Sequence, residues 1–256
     1  MNILVILKHV PDLVEELEIS EDGTDLDREW MRYIPSEYDE HALEQAILLK
    51  EEHGGSVTAL CLQIGDVEDT LFTASAKGAD RLVRIEGDFE GISSKDAAAV
   101  YADHIHRENY DLVLTGVQAH DDLSGPVGAR LAAMLDIPYV GVVSGMHLDP
   151  DAGVIHLHKE YPGGLLTVIR TELPAVVGIQ SAMKPPRYVP IAKIRQASKS
   201  ADISEERIET PTEAPAYIVR RVYKPEGGGG AEILDGAPED IAARLVDIFS
   251  EHGLVR

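Results

Sequence analysis

A single cysteine, Cys61, stands among 256 residues. No internal disulfide is available, and a reducing, cytoplasmic setting is expected. No run of about 18 apolar residues is present to form a transmembrane helix. The apolar opening MNILVILKHV is too short for a secretory signal and lacks its basic start and small-residue cleavage site; it reads as a buried first strand. Positive charge is scarce, with 23 Lys and Arg against 45 Asp and Glu and a net charge of −22. Such a surface repels phosphate polymers and anionic membranes, which argues against nucleic-acid binding and direct membrane insertion. The common catalytic signatures are missing as well. There is no G-x-G-x-x-G, no G-x-x-x-x-G-K-[ST], no H-E-x-x-H and no G-x-S-x-G.

What is present is a regular alternation of apolar and amphipathic segments. Strands are expected at residues 2–7, 56–64, 81–85 and 111–116. Helices are expected at 39–53, 66–77, 93–108 and 124–135, with Pro126 in the first turn of the last. Residues 11–36 are acidic without clear periodicity and read as a long loop with a turn at Asp22-Gly23. Strands near 139–147, 154–161, 164–171 and 174–179 crowd together, as an antiparallel extension does. The pattern gives an α/β class: a Rossmann-like, mostly parallel sheet of βαβ units with an antiparallel extension and a C-terminal arm. Residues 1–183 read as the domain. Residues 184–256 read as the arm, because they hold too few apolar residues for a core of their own. The arm begins with clustered prolines, runs through a polar stretch to Gly227–Gly230, and ends in an amphipathic helix at about 238–250.

In an open parallel sheet, ligands bind beyond the carboxyl ends of the strands. The most informative such segment runs from Gly116 through Gln118, His120, Asp121, Asp122, Leu123, Ser124, Gly125 and Pro126 to Val127 and Gly128. A polar loop entering a helix offers free backbone N–H groups to a phosphate, and Gly125 and Gly128 allow close approach. The same residues also fit an ordinary helix cap at Asp122 or Ser124. His156 and His158 share one face of a strand, without obvious carboxylate or thiol partners for a metal; no metal site is expected. Cys61 lies in an apolar strand and reads as a core residue. The one basic stretch, residues 184–199, carries five Lys or Arg and no acid, with Tyr188, Val189 and Ile191 among its prolines. It reads as a docking loop or as a linker that packs back on the sheet.

Several blocks together resemble the β subunits of electron transfer flavoproteins. They are ILVILKHVPD at 3–12, DEHALEQAILLK at 39–50, AKGADR at 76–81, DLVLTGVQ at 111–118, LPAVV at 173–177 and Pro186-Arg187-Tyr188. Their order and spacing, more than any single block, carry the resemblance. It implies a heterodimer whose α subunit holds most of the redox FAD. It implies an adenine nucleotide in the β subunit, AMP in most members and a second FAD in electron-bifurcating ones. Electrons pass from a flavin dehydrogenase to a quinone oxidoreductase or similar acceptor, and the β subunit has no turnover of its own. By position, the nucleotide site falls on Ile6, Lys8, Ser36, Glu37, Tyr38, Asp39, Leu62 and residues Asp121, Asp122, Leu123, Ser124, Gly125, Pro126, Val127 and Gly128. The dehydrogenase-docking loop falls on Arg187, Tyr188 and Ile191, and a contact to the mobile flavin domain on Glu160. Residues 36–40 read SEYDE where the family has N-P-x-[DC]-E, and the 121–128 loop matches neither the AMP nor the bifurcating form. A free-standing nucleotide-binding module of the same broad fold is the alternative.

Overall fold

The first strand, β1 (Asn2–Ile6), is apolar on both faces, with Ile3 and Val5 on one side and Leu4 and Ile6 on the other. Such a strand belongs in the middle of a covered sheet, and the computed structural model places it there. Residues 1–122, 125–209, 218–225 and 230–255 are described. After β1 the chain forms β2 (His9–Pro11), β3 (Tyr33–Pro35), α1 (Glu37–His53), β4 (Ser56–Leu62), α2 (Glu68–Lys77), β5 (Arg81–Glu86), α3 (Ser94–His106), β6 (Leu112–Gly116) and α4 (Val127–Leu135). It continues through β7 (Tyr139–Asp149), β8 (Val154–Tyr161), β9 (Leu165–Glu172), β10 (Ala175–Ile179), α5 (Ile191–Ser200), β11 (Ile203–Arg207) and α6 (Pro238–Glu251).

Nine strands form one sheet in the order β11-β5-β4-β1-β6-β10-β7-β8-β9. Pairing is parallel from β11 to β7, then antiparallel from β7 to β8 and β8 to β9. This is the expected mixed α/β architecture, except that β10, expected in the antiparallel extension, returns to the interior and runs parallel between β6 and β7. Helices α1 and α2 cover the face of Ile3, Val5, Val57 and Leu114 through Leu43, Ala46, Ile47 and Leu71. Helices α3 and α4 cover the face of Leu4, Ile6, Leu60 and Val113 through Ala98, Tyr101 and Leu131. Because β4 and β6 flank β1 on opposite sides, strand order reverses at β1. A crevice therefore opens at the carboxyl ends of these three strands.

Four further features differ from the sequence reading. The 11–36 segment is tied down at both ends by β2 and β3, an antiparallel ribbon too short to show alternation; inside it, a bridge between Ile19 and Leu26 closes the turn at Gly23 (φ +70°). Helix α4 starts at Val127, not at 124. Gly125 is left-handed (φ +95°) and Pro126 is extended (ψ 144°), so neither continues a helix. Within the basic stretch, residues from Ile191 form α5. Within the polar stretch, β11 adds an edge strand to β5. β11 is held by its ladder to β5, by Ile203 and the buried Ile208 at its two ends, and by polar contacts between them: Glu205 pairs with Arg84, and Glu206 hydrogen-bonds His104 Nδ1 at 2.8 Å. With Ser204, Glu205 and Glu206 between these two isoleucines, the strand carries no alternating hydrophobic period to read. Among the described residues no helix is long and apolar enough to cross a membrane.

Helix α4 sits close on the sheet through Gly128. A Cβ there would stand 2.8 Å from Thr115 Oγ1 and 3.1 Å from the Tyr139 ring. Thr115 is buried and its hydroxyl donates to the Gly116 carbonyl, so it has little room to move. Gly128 thus serves helix–sheet packing, and no ligand contact is needed to explain it. Gly128→Ala is expected to lower unfolding stability in urea by about 1–3 kcal/mol, the usual cost of overpacking. An unchanged midpoint would contradict this packing.

Candidate functional site

The carboxylate of Asp39 joins three elements. It sits in the first turn of α1, fully inside the protein. Oδ2 accepts the Lys8 N–H at 2.8 Å, and Oδ1 accepts the Gly116 N–H at 2.6 Å. Lys8 follows β1 and Gly116 ends β6, so one side chain clamps the two neighbouring strand ends. A Cβ at Gly116 would lie 2.7 Å from both Asp39 Oδ1 and Tyr38 Cβ, so only glycine lets α1 seat this closely. Burial pushes the Asp39 carboxyl up to about 7. The two N–H donors and the Lys8 charge oppose that rise, and the Asp122 charge adds to it.

Beside this clamp, Lys8 Nζ reaches Asp121 at 2.6 Å and Asp122 at 2.8 Å. Burial works against its charge, but the two aspartates outweigh it, and its pKa stands above the usual lysine value. Asp122 is itself fixed: Oδ2 accepts the Ala119 N–H at 2.9 Å, and Oδ1 accepts the Ser94 hydroxyl at 3.3 Å.

Lys8, Asp39 and Asp122 line a tight cavity with free room of about 30 Å³, which adjoins a wider cleft of about 610 Å³. The floor of the tight cavity comes from the ends of β1, β4 and β6 at Ile6, Leu62 and Gly116. Its walls come from Ile64 and Ala119 and from α3 and its approach, at Ile92, Ser94, Ala97 and Tyr101. Val127, the first residue of α4, completes the rim, so the positive end of that helix borders the space. The wider cleft shares Lys8, Ile64 and Ile92 as lining and runs out under the 11–33 segment, with Val219 and Val222 from the arm on its far side.

Of the expected site residues, Ile6, Lys8, Asp39, Leu62, Asp122 and Val127 line the cavity, and Asp121 lines the adjoining cleft. Ser36 is buried one turn before Asp39: its N–H donates to the Lys8 carbonyl and its own carbonyl accepts the Asp39 N–H. Glu37 is exposed and Tyr38 packs against Gly116. Gly125 and Pro126 shape the entry to α4, and Gly128 faces the sheet. Leu123 and Ser124 lie outside the described residues. The sequence reading missed Ser94, Ala97 and Tyr101. Their i, i+3, i+7 spacing puts them on one face of α3, a signal that was available.

The other expected residues lie apart. The Arg187 guanidinium bonds Glu44 (2.9–3.1 Å) and Glu51 (2.7 and 3.1 Å), anchoring its segment to α1. Glu51 and Glu44 hold this arginine firmly charged. Val189 is buried beside it, whereas Tyr188 and Ile191 project outward, 85% and 65% exposed. Glu160 is exposed on β8, toward the antiparallel end of the sheet.

The clamp gives a pH signature. Between about pH 4 and pH 7 the folded chain keeps the Asp39 proton that the unfolded chain releases. Asp39 therefore makes stability fall as pH rises through that window. In urea melts taken across pH, Asp39→Asn is expected to remove this slope. Asp39→Ala leaves the Lys8 and Gly116 N–H groups without acceptors and is expected to cost about 1–3 kcal/mol for each. Melts identical to wild type would contradict the clamp.

A family model for the electron transfer flavoprotein domain matches residues 26–210. The chain is 32% identical to the electron transfer flavoprotein subunit beta of Methylophilus methylotrophus, over 98% of each chain. It is 31% identical to that of Bacillus subtilis (strain 168) over the full length of both. It is 32% identical to that of Homo sapiens over 78% of each. Together with a parallel sheet whose strand order reverses over a lined cavity, these likenesses place the chain in the electron transfer flavoprotein β-subunit family.

Proposed function

We propose that this chain is the β half of a heterodimeric electron carrier, and that its cavity together with the adjoining cleft holds an adenine nucleotide. The observation that carries the reading is the cavity at the carboxyl ends of β1, β4 and β6. Its apolar walls at Ile6, Leu62, Ile64 and Ile92 suit the faces of a planar heterocycle. Ser94, Tyr101 and the α4 N-terminus offer polar contacts at its edges. Lys8 supplies the positive charge an anionic ligand needs, with Asp121 and Asp122 as its present counter-ions. Ser36, Asp39 and Asp122 keep their roles within this site, with Val127 at the phosphate side.

The redox FAD belongs mainly to an α subunit; when bound, it accepts and releases the electrons. This chain's residues position and dock, and the cofactor carries the chemistry. Its own turnover is not part of the reading. Helix α6 supports a partner: none of its residues is buried, and Leu245, Val246 and Phe249 line an uncovered apolar side. Tyr188 and Ile191, braced by the Arg187 anchor, suit docking to a donor flavin dehydrogenase, and Glu160 suits contact with the flavin domain. A quinone oxidoreductase or similar acceptor then receives the electrons. The single buried Cys61 fits a cytoplasmic setting.

One observation favours a second reading of the ligand. The cleft of about 610 Å³ beside the inner cavity suits a ligand longer than AMP, such as the second FAD of a bifurcating carrier.

Coexpression with a family α subunit is expected to give a yellow complex of two chains. A pair without flavin, or a β chain that stays alone, would overturn the carrier reading. Within the complex, Ile191→Ala is expected to slow dehydrogenase-linked flavin reduction several-fold while flavin content and melting temperature stay unchanged. An unchanged rate would show that this segment is only a linker.

A further inference from the structure

A second space lies between α1 and α2, with free room of about 240 Å³. Among the described residues it shares no lining with the cavity and cleft above. Its Leu7 and Leu43 belong to the core layer under α1 and α2, whereas Ile6 and Leu62 of the first cavity belong to the layer on the other face of the sheet. Leu7, Leu43 and Pro35 give this space an apolar floor. Thr70, Thr73 and Lys77 border it at i, i+3 and i+7, along one face of α2.

The two ends of that face differ in charge. At one end stands Lys77, whose side chain is only 6% exposed and whose Nζ meets Glu40 Oε1 at 3.1 Å. Glu40 itself is 44% exposed and reaches solvent. An ammonium has three N–H donors, and a buried one gains from a further acceptor. At the other end are Thr70 and the exposed Asp69. Thr70 Oγ1 lies 2.7 Å from His9 Nε2, and His9 Nδ1 lies 3.0 Å from the Ile64 carbonyl. A carbonyl only accepts, so Nδ1 carries the proton. Burial holds His9 below the ordinary histidine value, so near neutral pH the ring is uncharged and Nε2 accepts the Thr70 O–H. Thr70 Oγ1 is thereby left as an acceptor.

These groups select a ligand by charge and by length. A carboxylate without a cation would meet Lys77 but also face Glu40 and Asp69; an amine without an anion would face Lys77. A molecule carrying both charges satisfies both ends. At about 1.5 Å of rise per residue, the Thr70 and Lys77 backbones stand about 10 Å apart, and a lysine leaning back along the helix shortens that gap to about half. Charges on a single carbon do not span it, whereas a few methylenes between them do, and methylenes suit the apolar floor.

We propose that this space binds a short linear ω-amino acid, with its carboxylate on Lys77, its ammonium on Asp69 and Thr70, and its methylenes on Leu7, Pro35 and Leu43. The proposal is independent of the nucleotide reading.

Calorimetric titration of the purified full chain tests it, with δ-aminovalerate as the probe and pentanoate and pentylamine as analogues that each lack one charge. One-to-one binding of δ-aminovalerate is expected, with each analogue at least about tenfold weaker, the loss of one charge-assisted contact. Lys77→Met keeps the aliphatic stem and is expected to weaken δ-aminovalerate and pentanoate about tenfold or more. Asp69→Asn changes an exposed side chain, so it keeps the test open should Lys77→Met fail to fold; it is expected to weaken δ-aminovalerate about tenfold without weakening pentanoate. A wild-type chain that binds no δ-aminovalerate would overturn the site. Pentanoate binding as tightly as δ-aminovalerate would overturn the ligand class. Affinity for δ-aminovalerate unchanged in either variant would overturn the assigned contacts.

Discussion

One carboxylate holds the working end of this molecule together. Asp39 accepts two backbone N–H groups, one past the end of β1 and one at the end of β6. In doing so it fixes where α1 enters, how far apart the two strand ends lie, and where the Lys8 side chain begins. A buried charge is costly unless it is well partnered. Here the raised carboxyl pKa shows that the partners do not fully offset burial. The protein keeps this carboxyl where strand order reverses, which is where an open parallel sheet presents its ligand crevice. Gly116 has the same geometric origin: any side chain there would push the clamp apart.

Second in importance is the separation of charge across the molecule. The body is strongly acidic, and Lys8 inside the cavity is matched by two aspartates. The segment around Arg187 is basic but not free, because Glu44 and Glu51 hold the guanidinium against α1. That bracing leaves Tyr188 and Ile191 as the projecting side chains. A docking tip built this way is stiff, which lowers the ordering cost of association. The uncovered apolar side of α6 is of another kind, with no anchor among its own buried residues.

Much of the fold was legible in the sequence because it rests on periodicity. The central parallel strands and the four helices that cover them carry apolar patterns that name their faces, whereas β10 was grouped with an antiparallel extension and β9 leaves most of its apolar side chains exposed. What was not legible rests on pairings across long separations. β11 reads as polar chain until Arg84 and His104 are seen beside Glu205 and Glu206. The β2–β3 ribbon is too short for a pattern. Gly128 reads as a ligand-approach glycine until Thr115 and Tyr139 are seen behind it. At the site, Lys8 and Asp122 lie in segments that the strand-end rule already singled out, Asp39 was reached through resemblance, and the structure shows what binds the three to one another. Tyr101 could have been found from its helical spacing with Ser94 and Ala97, but nothing in the sequence said that this face of α3 borders a cavity.

The central claim is that the space pinned open by Asp39 holds a nucleotide. Acid denaturation of the purified two-chain complex, followed by chromatographic counting of the released ligands, tests it most directly. The account predicts, besides the flavin of the α subunit, one further adenine-containing ligand per copy of this chain, either AMP or a second FAD. A complex that releases a single flavin and nothing else would contradict it.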